Sequence, residues 1–196
     1  MPRIAAASVA EHVAQQERAV FDAAIGLFVE RGYAGVSLAD IASEVGLKRT
    51  SLYRYYPDKA HILLAWYHAE MPRQVAESER LLGGDGSPEA RIHRWVEAQL
   101  DYARTPEHHL VVAFADISGQ LSPDDLAELR DSHRALTAPL AGVLGELGVA
   151  PLAQPAVETV LGGLVLAASR AESVAGHPDG ELRRRLQAAI AALVAG

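Results

Sequence analysis

Residues 37–59, SLADIASEVGLKRTSLYRYYPDK, constrain the fold more than any other stretch of the chain. Ser37 followed three residues later by Asp40 is a helix N-terminus signature, a capping box with Asp where Glu is usual. Leu38, Ile41, Ala42 and Val45 then recur at helical spacing, so one face of this helix turns inward. The helix stays short because Gly46 ends it; a glycine takes positive φ without steric cost. A third helix starts within three residues, at Lys48 or Arg49, with Leu52 facing inward. Two short helices joined by Val45-Gly46-Leu47 are the plan of a helix-turn-helix. A longer helix over 9–31 precedes them, with Val20, Ala24, Leu27 and Phe28 on one face and Gly32 suited to its C-terminal cap.

The rest of the chain also reads as helix. Alternating apolar and polar runs rich in β-branched residues are absent, so an all-α fold is predicted. Helices are expected over 60–82, 88–104, 107–117, 123–147, 155–174 and 179–194. The breaks between them fall at Pro57, the GGDGSP stretch, Thr105-Pro106, Ser122-Pro123, GVAPLAQP and Gly176-His177-Pro178. Over 123–147, Leu126, Leu129, His133, Leu136, Leu140, Val143 and Leu147 form a narrow packing seam, and Pro139 inside it predicts a kink.

Charge is distributed unevenly. Residues 1–60 hold seven basic and seven acidic side chains, whereas 61–196 hold eleven basic and eighteen acidic. An acidic body repels a polyanion, so any contact with nucleic acid belongs to the first 60 residues. Both lysines of the chain, Lys48 and Lys59, lie within residues 46–59, with Arg49, Arg54 and three of the six tyrosines. In a helix-turn-helix the second helix enters the major groove by its N-terminal residues. Lys48, Arg49, Thr50 and Ser51 occupy that place, and Arg and Lys donate to guanine acceptors. Arg54 follows along the same helix. The hydroxyls of Tyr53 and Tyr55 suit phosphate oxygens, as does the Lys59 ammonium at the start of the next helix. The plainer reading of such a cluster is a solvated surface; the capped helix and glycine turn ahead of it favour the interface.

Residues 20–67, VFDAAIGLFVERGYAGVSLADIASEVGLKRTSLYRYYPDKAHILLAWY, closely resemble the DNA-binding domain of the TetR family of one-component transcriptional regulators. The likeness rests on the AA..LF...GY end of the first helix, the S-L..IA...G second helix, and the S-L-Y-x-Y-Y-x-D-K third helix and exit. It covers about a quarter of the chain. The resemblance implies a homodimer on a palindromic double-stranded operator, usually repressing transcription, with a small-molecule effector that moves the two reading heads apart. It implies phosphate contacts for Tyr53 and Lys59, groove contacts for Arg49, Thr50 and Ser51, and a reading head over 1–59 followed by a ligand-sensing and dimerising body over 60–196. Ser37, at the N-terminus of the second helix, joins the set of DNA-facing candidates. Some members read a base with an arginine in helix two; Ala39 stands at that position here.

The resemblance also implies a ligand pocket among the middle helices. Trp66, Tyr67, Trp95, Gln99, Tyr102, His109 and Phe114 are the candidates, although aromatics at helical spacing more often fill core. For the dimer, the last two helices are favoured. Gly162, Gly163 and Ala168 permit close approach of another helix, and Leu161, Leu164, Val165, Leu186, Ile190 and Leu193 supply apolar contact.

Other chemistries find little support. His61 and His68 are seven apart and His108-His109 are adjacent, so no pair has the spacing of a helical zinc site, and neither metal nor cofactor is expected. Gly83-Gly84-Asp85-Gly86-Ser87 lacks the Lys-Ser/Thr ending of a phosphate loop, and no Gly-x-Ser-x-Gly elbow occurs, so no enzyme is expected. The chain has no cysteine, no apolar run near the ~20 residues of a membrane span, and no signal-peptide pattern at its start; a cytoplasmic protein is expected. The alternative function is a helical scaffold of the same fold that no longer binds DNA.

Overall fold

A computed structural model describes the backbone of residues 2–195, and the side chains of these residues apart from 2–9, 109, 112, 115, 116, 118, 173 and 195. Among the described residues the only regular elements are helices. They are α1 (Pro2–Arg31), α2 (Leu38–Glu44), α3 (Arg49–Leu52), α4 (Lys59–Leu82), α5 (Pro88–Tyr102), α6 (His108–Val112), α7 (Phe114–Ile117), followed by one 3-10 turn (Ser118–Gln120), α8 (Pro123–Glu146), α9 (Gln154–Ala175) and α10 (Gly180–Ala195). The all-α expectation holds.

Three boundaries differ from expectation. α1 begins at Pro2, seven residues early. The segment before Val9 is alanine-rich, so intrinsic propensity extends the helix where amphipathic periodicity gave no signal. The helix expected over 107–117 is interrupted at Ala113, two residues after the β-branched Val111, a type of lower helix preference. α3 is regular only to Leu52. Behind it the backbone tightens, with the Arg54 amide donating to the Ser51 carbonyl and the Tyr55 amide to that of Leu52 at 2.9 Å. Pro57 disfavours helical geometry at Tyr56, which stops the helix early.

Packing divides the chain into two units, one of Met1–Glu70 with His109–Leu121, the other of Met71–His108 with Ser122–Gly196. In the first, α1 buries Val20, Ala24, Leu27 and Phe28, α2 buries Ile41 and Ala42, α3 buries Leu52, and α4 buries Ala60, Ile62 and Leu63. Each large apolar side chain removed from water here stabilises the unit by ~1.5–3 kcal/mol. The second unit has its own core. Leu81 and Leu82 of α4, Ile92, Trp95, Val96 and Leu100 of α5, Leu140, Val143 and Leu144 of α8, Leu161, Val165 and Ala168 of α9, and Leu186, Ile190 and Val194 of α10 form one cluster. The seam predicted along α8 is therefore tight only in its C-terminal half. Leu126, Leu129 and Leu136 are half-buried and His133 is exposed.

Arg183 of α10 fastens the second unit electrostatically. Its guanidinium reaches Glu172 of α9 at 2.6 Å and, on α5, Glu97 at 2.7 Å and Asp101 at 3.0 Å. Glu172 is 1% exposed. Its carboxyl is held below the ordinary value chiefly by the Arg183 hydrogen bonds, which outweigh the opposing effect of burial. A buried carboxylate without such a partner is costly.

The candidate nucleic-acid interface

The turn between α2 and α3 forms as its residues dictate. The Ser37 hydroxyl accepts from the Asp40 amide at 3.2 Å, and the Asp40 carboxylate accepts from the Ser37 amide at 2.8 Å and its hydroxyl at 2.6 Å. This closes the expected capping box, and the hydrogen bonds from Ser37 hold the Asp40 carboxyl below its ordinary range. At the other end the Gly46 amide donates to the Ser43 carbonyl and the Leu47 amide to that of Ala42 at 2.8 Å. This paired closure requires a left-handed residue, and Gly46 supplies φ +68°. Leu52, fully buried, anchors α3 beneath.

With Leu52 inward, the rest of α3 faces out. Lys48, Arg49, Thr50, Tyr53 and Arg54 are exposed, and Ser51 and Tyr55 half-buried. Among the described residues, Lys48, Arg49 and Arg54 form no ion pair. Arg49 Nη2 donates to the Tyr53 hydroxyl at 3.3 Å, one turn along. That contact aligns guanidinium and phenol side by side and leaves the phenolic hydrogen free to donate. The surface is thus a row of donors: two guanidinia, an ammonium and several hydroxyls. Such a surface recognises anions and base acceptors.

Two of the residues singled out in the sequence are engaged inside the fold. The Ser37 hydroxyl is committed to the capping box. The Lys59 ammonium donates to the main-chain carbonyls of Tyr33 at 2.7 Å and Val36 at 2.9 Å. Burial lowers its pKa. Sequence reading also missed the cap of α4. The Asp58 carboxylate accepts from the His61 amide at 3.0 Å and lies 2.8 Å from His61 Nδ1. Asp58 three residues before His61, at a helix start, was the available signal.

The ligand candidates lie in different places. Trp66 and Tyr67 are buried in the first unit, with the Phe114 ring edge-on to Tyr67 at 5.0 Å. Trp95, in the second unit, is core: its indole N–H donates to Ser78 Oγ at 2.9 Å, and Ser78 donates to the Leu136 carbonyl at 2.8 Å. Gln99 and Tyr102 are half-buried in that unit, Tyr102 edge-on to His108 at 5.4 Å. The His109 side chain lies outside the described residues. Of the dimer candidates, Leu161, Val165, Ala168, Leu186 and Ile190 are packed in the core of the second unit, Leu164 and Leu193 are half-buried, and Gly162 is exposed. The outward side of α9 instead shows Val160 (48% exposed), Gly163, Leu166 (45%) and Ala167. No described helix is long and apolar enough to cross a membrane.

Comparison with known proteins bears on this arrangement. Residues 20–66 match the family model of bacterial regulatory proteins of the tetR family. A stretch of 127 residues, 61% of the chain, is 30% identical to the HTH-type transcriptional repressor KstR of Mycolicibacterium smegmatis, covering 62% of that protein. A further similarity, 34% over 84 residues and 43% of each chain, is to the HTH-type transcriptional repressor LfrR of the same organism. The chain spans about three fifths of the length of the curated KstR relatives it matches, 62% and 57%. Among solved structures, a putative transcriptional regulator from Pseudomonas aeruginosa aligns over 93% of this chain and 92% of its own with TM-score 0.71 and 19% identity. Mycobacterium smegmatis AmtR aligns over 90% and 84% with TM-score 0.61 and 24% identity. At these identities the structural likeness speaks for the fold. The family match covers the same capped second helix, glycine turn and tyrosine-rich third helix that build the surface above, so residues 20–66 are a helix-turn-helix segment of the tetR family type.

Proposed function

We propose that the chain is a ligand-responsive transcriptional regulator, a repressor, that reads a palindromic double-stranded DNA operator as a homodimer and is released by an apolar small molecule. The observation that carries this reading is the α3 surface. In a chain of net charge −7, Lys48, Arg49 and Arg54 stand exposed on and beside one short helix, without carboxylate partners among the described residues. Arg49, Thr50 and Ser51 face base edges in this reading. Tyr53, Tyr55 and Arg54 hold phosphates, and the first turn of α2 at Ser37 lies against the backbone. The functional boundary falls at the start of α4, with residues 1–59 reading DNA and 60–196 sensing ligand and pairing subunits.

The proposed dimer forms by an isologous two-fold contact through α9 and α10. Leu161, Val165, Ala168, Leu186 and Ile190 shape these helices from within, while Gly162, Leu164, Leu193 and the exposed Val160 and Leu166 meet the second copy. The effector candidates are, in the first unit, Trp66, Tyr67, His109 and Phe114 and, in the second unit, Gln99 and Tyr102, with Trp95 packed in the core of the second. Effector release requires different affinities for the two conformers, because equal affinity shifts nothing.

Fluorescence anisotropy with DNA flanking the coding region, at several salt concentrations, tests the reading. Tight binding of two subunits per palindrome is expected, with affinity falling steeply as salt rises, the slope scaling as about 0.9 per phosphate neutralised. Failure here and in selection from random DNA would move the scaffold alternative to the front.

A further inference from the structure

Lys59 is the cation near the reading surface that a DNA contact explains least. It is the first residue of α4, and its Nζ bridges two carbonyls, Tyr33 and Val36, that lie in the turn between α1 and α2. The same ammonium sits 4.1 Å from the centroid of the Tyr33 ring, a cation–π contact. Val36 immediately precedes Ser37, the cap on which α2 begins. One side chain therefore ties the start of the fourth helix to the entry of the second, across 23 and 26 residues of chain.

We infer that Lys59 is a positioning residue of the reading head, which fixes the α1–α2 turn and through it the placement of α2, and that it does not act as a phosphate contact. An ammonium has three donors. Two are directed at carbonyls here and the Tyr33 ring covers one side. Moving the group to a phosphate would strip both carbonyls of this donor. Tyr33, against the Phe28 ring at 5.2 Å, and Val36 anchor the turn by burial, but its own backbone bonds are few: the Gly35 amide donates to the Gly32 carbonyl at 3.1 Å, and the Val36 amide to that of Tyr33 at a long 3.4 Å. A lysine suits the place because a compact ammonium on a flexible stem fits between two carbonyls where a planar guanidinium fork does not. The lowered pKa that burial gives Lys59 agrees with an enclosed group.

The binding arm of the test rests on the DNA-binding reading; the structural arm does not. Lys59→Met keeps an unbranched side chain, one atom shorter, and removes the donors. Its operator affinity should fall about tenfold, the size of one lost charge-assisted hydrogen bond, with the salt slope unchanged. In the free protein, amide hydrogen exchange from Val36 to Ile41 should quicken. A slope lowered by about one, the mark of a lost phosphate contact, or an unchanged exchange pattern, overturns the inference. Should Lys59→Met not fold, the wild type decides. The Lys59 methylene protons next to the ammonium should show an upfield ring-current shift from Tyr33, kept when operator DNA is added. Loss of that shift on DNA binding overturns the inference. A wild type that binds no DNA would refute the regulator reading, while exchange and ring shift in the free protein would still test the role of Lys59.

Discussion

Arg183 and Arg54 carry the same guanidinium in opposite surroundings. Arg183 is 14% exposed and meets three carboxylates of its own unit, Glu97, Asp101 and Glu172. Arg54 is exposed and, among the described residues, meets none. Their neighbours follow suit. In the second unit Arg91 is buried against the Leu82 carbonyl and paired with Glu146, and Arg80 is paired with Glu77 at 2.6 Å. On and beside α3, Lys48 and Arg49, like Arg54, meet no carboxylate among the described residues. The contrast separates two uses of a cation. One satisfied by carboxylates of its own chain holds helices together and offers little to an outside anion. One left without them costs nothing in folding and remains available to a polyanion. The same distinction sets Lys59, held by carbonyls, apart from Lys48.

The contrast breaks most visibly at Arg183. Arg183→Met leaves Glu172 buried without its partner, and thermal or urea unfolding should show a loss of ~3–5 kcal/mol. Replacing Glu172 as well, by Leu, should restore much of it, because removing a buried pair altogether is often nearly neutral. A variant that loses nothing would mean that the cluster is a surface feature.

Acid provides a second handle on the same pair. The folded pKa of Glu172 is depressed below 4.5, mainly by the Arg183 hydrogen bonds. Its stabilisation is therefore complete above that ordinary value and fades as pH falls through the lower, folded one. The stability gap between wild type and Arg183→Met should narrow as pH drops below 4.5. A gap that stayed constant into acid would place the effect elsewhere.

How far the sequence shows these roles depends on the range of the interaction. The α2 cap, the Gly46 turn and Leu52 are legible because each is set by neighbours within five residues: Ser37 to Asp40, Gly46 to Ser43, Leu47 to Ala42. The Arg183 cluster is not, since Glu97 is 86 residues away and three arginines in a row give no hint which one turns inward. Arg184 and Arg185 instead pair along the helix with Glu181. The carbonyl contacts of Lys59 are hidden for the same reason: its partners are main-chain atoms, which no side-chain pattern reveals. Trp95 shows a third limit. A tryptophan lining a pocket and one filling a core share the same helical spacing, and it is burial in the core of the second unit, with the Ser78 hydrogen bond, that tells them apart here.

On the exposed side of the comparison, Arg49 is the residue whose loss should change what is read. Arg49→Ala is expected to reduce discrimination at one or two base positions by ~1–3 kcal/mol, measured by competition among operator variants, with folding stability little changed. It also removes the donor that aligns the Tyr53 hydroxyl at 3.3 Å. A uniform loss across all sequences would turn Arg49 into a phosphate contact and leave base reading to Lys48 and Thr50.

The smallest effect is the sharpest statement of the contrast. Arg54→Ala removes a guanidinium with no ion pair among the described residues, so unfolding stability should stay within about 0.5 kcal/mol of wild type. Its operator affinity should nevertheless drop at low salt, with the slope of log affinity against log salt lowered by about one. The two readouts must separate for the argument to stand. Arg183→Met should move stability by several kcal/mol, and Arg54→Ala should move only the salt slope. If Arg54→Ala destabilised the fold as well, the exposed cations would be structural too, and the absence of carboxylate partners would no longer distinguish a surface built to meet DNA from one that merely faces water.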